Sequence, residues 1–289
     1  MKSILIIGGV TLDILHLPGR TEPVIAAGGA GMYTALAGHR ALTASQPGPP
    51  FPVTLFAQRP TPLPEMLQPI AQTLHWIGPD IPLDDLPRLE IAHHGGGKAA
   101  LLNAHWGAQA HLTPDVLPDD LSAYDLIHLA VMVSTERQLE FLEVCRARSK
   151  ARISAGTNGK NAHEQTTWVR ELIRRADLFF MNENEANALF GKVENARAEP
   201  DKRLFITLGA RGAIILEGEK RTGIPALPVQ EVDPTGAGDT FCGATLAGLV
   251  NGLDAVSAAQ EGVRLAGEMI QGLGPERLLG TRGKLPELA

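Results

Sequence analysis

The chain has 289 residues, of which 44% are hydrophobic and only 4% aromatic, and a formal net charge of −6. This length suits one large α/β domain or two smaller ones, with a core that needs no disulfide or metal staples. Scarce aromatics argue against a stacking platform for nucleic acid, and the acidic balance argues against a polyanionic partner; neither excludes a small phosphorylated ligand held by local backbone N–H groups.

In chain order, residues 3–7 read as a first strand. The opening "MKSILIIGGVTLDIL" is apolar only briefly before glycines and Asp13, which fits a buried strand better than a signal peptide. Residues 28–38 are a glycine-rich start to a helix, and 53–57 and 74–77 are short strands between proline-rich connections. The stretch "SQPGPPFP" (45–52) reads as a surface loop. Residues 90–94 and 99–105 flank "GGGK" as a hairpin-like pair. Further on come a buried strand at 126–130 and a helix at 135–149 with Leu139, Leu142 and Cys145 on one stripe. A short strand at Ile153, a helix at 164–175 and a strand at 177–181 follow. Glu183–Phe190 is a short helix with Gly191 as its stop, 203–208 and Ala213–Glu217 are strands, and helices at 238–250 and 255–270 close the chain.

Strands alternating with helices imply a doubly wound, mostly parallel sheet covered on both faces. The whole chain, 1–289, reads as a single domain, and no internal repeat is visible. Cys145 and Cys242 lie far apart in apolar helical patterns and read as reduced core residues. No apolar run reaches 18 residues, which points to a soluble cytoplasmic protein with no membrane partner.

The most informative stretch is "EVDPTGAGDTF", 231–241. Gly236, Ala237 and Gly238 allow close backbone approach, and the helix that follows offers unpaired N–H groups and the positive end of its dipole, a site for phosphate oxygens. Asp239 stands directly at that site. An acid also suits a first helical turn on dipole grounds alone, but the full string "DPTGAGDTF" resembles the carboxyl-terminal signature of the PfkB (ribokinase-like) sugar and nucleoside kinases, with Pro234 in place of a variable Thr. The resemblance implies an ATP-dependent kinase in which Asp239 is the catalytic base and the amides of Gly236, Ala237 and Gly238 form the anion hole. Where family members bind a monovalent cation such as K⁺ beside this loop, the positions concerned are Asp233 and Thr235; many members do without it.

Other segments resemble the family in the expected order. "NENE" (182–185) resembles the Asn-x-x-Glu motif, which implies Asn182 and Glu185 beside the nucleotide, with Glu185 reaching Mg²⁺ through water. "TLGARG" (207–212) resembles the nucleotide-binding strand and turn, implying Thr207, Gly209 and Gly212 at ATP. "GGVTLD" (8–13) and "AGGAGMYTALA" (27–37) resemble the sugar-binding segments, implying Asp13, Gly28 and Gly29 at the acceptor, with Tyr33 where an Asn often binds a sugar hydroxyl and Ala30 where a polar residue is common. The implied protein is a monomer or homodimer of ribokinase-like fold acting on a small polyhydroxyl substrate. Its small β lid is reduced and comes from about 14–27 and 89–106, with Asp13 and Asp239 facing one cleft.

His93, His94, His105 and His111 match no standard zinc spacing and read as packed or exposed strand residues. "HHGGGK" lacks the Gly-x-x-x-x-Gly-Lys-Ser/Thr pattern of a phosphate loop. A dinucleotide-dependent oxidoreductase is disfavoured because "GAGDTF" lacks the third glycine and sets an acid against the would-be pyrophosphate. A non-catalytic binding protein of the same fold is disfavoured because Asp239, the small loop residues and Glu185 are all kept.

Overall fold

The computed structural model describes residues 3–45, 52–95 and 98–280. Its first part runs β1 (Ile4–Ile7), β2 (Thr11–His16), β3 (Val24–Gly28), α1 (Ala30–Ser45), β4 (Val53–Phe56), β5 (Arg59–Thr61), α2 (Gln68–Thr73), β6 (His75–Ile77), β7 (Asp80–Pro82), β8 (Arg88–Gly95) and β9 (Lys98–His105). The second part runs β10 (Leu126–Leu129), α3 (Thr135–Arg148), β11 (Arg152–Gly156), α4 (Gly159–Glu164), α5 (Thr166–Arg175), β12 (Leu178–Asn182), α6 (Glu183–Phe190), β13 (Arg203–Thr207), β14 (Ala213–Glu217), β15 (Lys220–Ile224), α7 (Ala237–Val250), α8 (Ala255–Met269) and α9 (Glu276–Leu279).

The main sheet has the order β15-β14-β13-β12-β11-β10-β1-β4-β6, parallel from β6 to β13 and antiparallel at β14 and β15. Parallel strands covered on both faces read as unbroken apolar runs, and β1 (ILII) is buried at all four positions. Because side chains alternate along a strand, Ile4 and Ile6 join a core layer with α1, α7 and α8, while Leu5 and Ile7 join the layer under α3, α5 and α6. On the first face the helices meet almost backbone to backbone: a Cβ at Gly243 would lie 2.1 Å from the Thr34 carbonyl oxygen. This doubly wound sheet flanked by helices is the expected α/β class.

A second sheet, β3-β2-β8-β9, stands apart from the first. Its strands overlap the segments 14–27 and 89–106, with β2 starting at Thr11, β3 ending at Gly28 and β8 starting at Arg88. Leu15, Leu17 and Ala26 pack with Leu273 to tie this sheet to the carboxyl-terminal part of the chain. Several local boundaries differ from the sequence reading. The helix expected at 164–175 is α5, Thr166–Arg175, preceded by the separate α4; between them Gln165 donates its side-chain NH₂ to Val133 O and accepts from Thr135 N. The last two long helices are Ala237–Val250 and Ala255–Met269, each one residue off the expected limits. Strands β5, β7 and β15 and helices α2, α4 and α9 were not anticipated; β5 and β7 are only three residues long. The predicted loop at 45–52 lies mostly outside the described residues.

Candidate active site

A cleft of about 240 Å³ opens at the carboxyl ends of β10 to β13, where open α/β sheets bind ligands. Gly156 ends β11, Asn182 ends β12 and Thr207 ends β13, and all three line it together with Ala30, Glu185, Gly238 and Asp239. Among the described residues no Lys or Arg lines it. Its floor is kept neutral: burial drives His128 down to about 3 and the Cys242 thiol well above its usual range. His128 Nδ1 lies 2.9 Å from Ser154 Oγ, and its ring meets Phe180 edge-on.

Helix α7 begins because Gly236 takes a left-handed conformation, φ +77°, which a residue with a Cβ adopts only with strain. A Cβ there would also fall 2.4 Å from the ring of Tyr33, so the turn rests directly on that buried ring. The Ala237 N–H donates to Pro234 O at 3.1 Å and is therefore committed within the turn. Of the three amides expected to meet an anion, those of Gly236 and Gly238 are the ones left for it. Gly238 has open space around the position a Cβ would take, on the cleft side. Asp239 is half-open to the cleft, and the protein packed around it pushes its carboxyl up to about 6. A carboxyl in that range is suited to proton transfer near neutral pH.

Asn182 and Glu185 form a reciprocal cap on α6: Glu185 N–H donates to Asn182 Oδ1 at 3.0 Å, and Asn182 N–H donates to Glu185 Oε2 at 2.7 Å. Asn182 Nδ2 adds a bond to Glu185 Oε1, also 2.7 Å. The cap fixes Glu185 on the cleft wall, buried, and burial with the nearby charge of Asp239 raises it to about 8. In the turn after β13, Leu208 N–H donates to Gly212 O at 2.7 Å; Gly212 has φ +96°, and the Ile224 carbonyl oxygen lies 1.9 Å from where a Cβ would stand, so only glycine fits there. Arg211 in this turn is ion-paired to Glu183, which joins the turn to the start of α6. Thr207 lines the cleft; Gly209 and Gly212 shape the turn behind it.

The amino-terminal residues are placed differently from expectation. Asp13, on β2, is buried and accepts from Thr11 Oγ1 at 2.6 Å. Its carboxyl fills the space beside Gly28, 1.9 Å from where a Cβ would lie, so Gly28 makes room for Asp13 rather than for a ligand. Gly29, φ +104°, faces the Gly9 carbonyl and lets the chain pass close to the end of β1. Tyr33 is not a cleft residue: it is buried under Gly236, its hydroxyl has no partner among the described residues, and the charges of Asp233, Asp13 and Asp239 all reach it. Asp13 and Asp239 thus flank one buried tyrosine, but only Asp239 lines the cleft described above.

The family model for pfkB family carbohydrate kinases matches residues 86–281. The chain belongs to that family. It is 27% identical over 286 residues to the cytidine kinase of Thermococcus kodakarensis, covering 94% of this chain and 97% of that protein. In fold it is similar to a probable sugar kinase of Rhizobium etli, with a TM-score of 0.76 at 20% identity over 95% of this chain and 94% of that one. It is likewise similar to a Cryptococcus neoformans ribokinase solved with ADP, with a TM-score of 0.73 at 22% identity over 96% and 97% of the two chains. This PfkB-family protein is therefore a phosphotransferase with an alcohol group as acceptor, a sugar or nucleoside kinase of ribokinase-like fold.

Two residues of this kinase escaped the sequence reading. His128 sits in an apolar run, and only its place in the last half of β10 would have suggested a cleft. His93 reads as one member of a His pair near a glycine run, yet it is buried against the loop that carries Asp239, with Nε2 2.9 Å from Thr235 Oγ1. Nothing in the spacing of a β8 residue and a loop 142 positions later announces that contact. Among the described residues no helix is long and apolar enough to cross a membrane.

Proposed function

We propose that this kinase transfers the γ-phosphate of ATP to a hydroxyl of a small sugar, polyol or nucleoside, with Asp239 as general base. The observation that carries the reading is the position of Asp239 on the first turn of α7, beside the Gly236 and Gly238 amides, at the mouth of a cleft formed by the ends of four parallel strands. A hydroxyl is a weak nucleophile at neutral pH. Its oxygen bonds to the γ-phosphorus as its proton passes to the Asp239 carboxylate, and ADP leaves with the electrons of the broken P–O bond. The helix start stabilises charge on the transferring group through donors fixed before the reaction, so no reorganisation is needed at that moment. Thr207 and the turn held by Gly209 and Gly212 would bound the rest of the nucleotide.

The cleft also suits Mg²⁺. Among the described residues its wall presents Glu185 and Asp239 with no cationic side chain, and such a surface accepts a polyphosphate better when a hard cation comes with it. Glu185 would hold that ion through its waters, and the ion when bound offsets phosphate charge. On the acceptor side we assign Asp13 to a substrate hydroxyl. This assignment rests on the family pattern, since the carboxyl is packed against Gly28. Nucleosides belong in the acceptor class because the cytidine kinase matches along nearly its whole length.

The test is ADP release with sugars, polyols and nucleosides, cytidine among them, for the wild type and Asp239→Asn. The variant keeps size and most hydrogen bonding but cannot take the proton. Its kcat is expected to fall by ~10²-fold or more, with nucleotide affinity and Tm little changed. Turnover near wild type on a verified acceptor would remove Asp239 from the mechanism.

A further inference from the structure

Among the described residues, the imidazole of His93 reaches from the second sheet to the loop that leads to Asp239. His93 lies on β8 beside a register shift between His93 and Gly95, the kind of irregularity that re-aims a strand side chain. The ring is buried, with Nε2 2.9 Å from Thr235 Oγ1 and 3.6 Å from Asp233 Oδ1. Asp233 is fully buried as well. Its Oδ1 accepts the Thr235 N–H at 2.9 Å and its Oδ2 accepts the Gly274 N–H at 2.9 Å. A carboxylate can only accept, so the geometry assigns the proton to His93 Nε2, with Thr235 Oγ1 as acceptor. His93 Nδ1 has no partner among the described residues, so every polar contact this ring makes is directed at the loop.

This arrangement does not fit the monovalent cation that the family resemblance places at Asp233 and Thr235. A cation needs oxygen lone pairs converging on one point. Here the His93 ring nitrogen already stands 2.9 Å from Thr235 Oγ1 and 3.6 Å from Asp233 Oδ1, in the place an ion bound to both side chains would take. We infer that His93 takes the place of that cation: a lid residue braces Asp233 and Thr235, holds the turn that follows them in position, and makes the kinase independent of monovalent cations. His93 is in this sense a positioning residue, acting on Asp239 and the Gly236 and Gly238 amides through Thr235. The inference rests on the kinase reading above but makes a claim of its own, since it concerns what holds the loop.

The experiment measures the affinity of the wild type for a non-hydrolysable ATP analogue with Mg²⁺ in KCl, NaCl, CsCl or tetramethylammonium chloride at one ionic strength, together with Tm in each salt. Both are expected to be the same within about twofold in affinity and within error in Tm. K⁺-specific tightening of ~10-fold, or a K⁺-specific rise in Tm, would overturn the inference. Absence of nucleotide binding in every salt would overturn the kinase reading instead, and the Tm comparison would still decide this one. His93→Ala is expected to lower kcat by ~10-fold or more, the scale of a lost supporting contact, with a smaller change in KM for ATP. His93→Gln, whose amide can reach the same acceptor, should recover most of the loss. Equal losses in the two variants, or none in His93→Ala, would also overturn it. If neither variant folds, the salt series on the wild type decides alone.

Discussion

The two ends of this molecule reach their sites by different routes. In the carboxyl-terminal region each site residue is held by its own neighbours: Glu185 by a cap with Asn182, Asp239 by the left-handed Gly236 before it, and the Thr207 turn by Gly212. In the amino-terminal region the same task falls to contacts distant in sequence. Asp13 packs against Gly28 from the neighbouring strand, Tyr33 lies under Gly236, and His93 braces Thr235. Motifs mark chemistry where a few consecutive residues set the geometry. Where the geometry comes from tertiary packing, a motif position can be kept in register while the side chain serves a different neighbour.

The variant that bears most directly on this contrast is Gly236→Ala, because Gly236 belongs to both regions. It demands a left-handed conformation, which costs about 1–2 kcal/mol for a residue with a Cβ. It also drives that Cβ into the ring of Tyr33, and crowding of a packed site adds about 1–3 kcal/mol. Relief of the clash must shift either the turn or α1, and a displacement near 1 Å at a reacting centre can cost ~10²-fold in rate. The expected outcome is a clear fall in Tm together with a kcat loss of at least that order, read by thermal unfolding and ADP release. A lowered Tm with intact kcat would mean that the turn is structural and does not position the anion donors.

The same contrast explains what could be read in advance. The parallel sheet was legible because β1, β10 and β12 are short apolar runs separated by capped helices, and α6 announced itself by Asn182, Glu185 and Gly191. The Asp239 loop was legible because it is contiguous. The role of Gly28 was not: a glycine that admits a ligand and one that admits an aspartate from the next strand look alike until the pairing of Asp13 with Ala26 sets the register. The Ala237 amide was expected at the anion, and only the backbone path shows it turned to Pro234. Tyr33, one turn into α1, could be placed on a helix but not under the Gly236 turn.

Glu185→Gln tests whether the carboxyl-terminal site is more than a helix cap. Gln keeps an acceptor for one of the Asn182 donors and loses the charge, so the stability change should stay near the ~1 kcal/mol typical of a weakened cap. If Glu185 holds Mg²⁺ through water, the Mg²⁺ concentration for half-maximal rate should rise several-fold, more than the KM of the acceptor. Unchanged Mg²⁺ dependence with a lowered Tm would reduce Glu185 to its capping role and make the two ends of the molecule more alike than the comparison holds.

The smallest expected effect concerns Asp13 and depends on pH. Its carboxyl is raised from an ordinary 3.8 to about 7, first by burial and then by the charge of Asp233, against the lowering bond from Thr11. A group whose pKa is higher folded than unfolded favours folding in its protonated form. Its contribution is complete below about 3.8 and is lost as pH rises through about 7, because the folded protein must then hold a charge in a site that resists it. Asp13→Asn removes that charge while adding an amide NH₂ that itself needs a partner, so the net gain is on the order of 1–2 kcal/mol at most. The variant is therefore expected to melt a few degrees above the wild type at pH 8 and to show little or no advantage at pH 5, with the crossover in thermal scans tracking the titration of one carboxyl. Kinetics of the same variant bear on the acceptor assignment. If Asp13 receives a substrate hydroxyl, KM for the acceptor should rise by ~10-fold while kcat changes less, the pattern of a lost binding contact. A pH-dependent gain in Tm with no change in KM would show instead that Asp13 serves only the joint between β2 and β3. The acceptor site would then have to be sought along the Asp239 cleft itself.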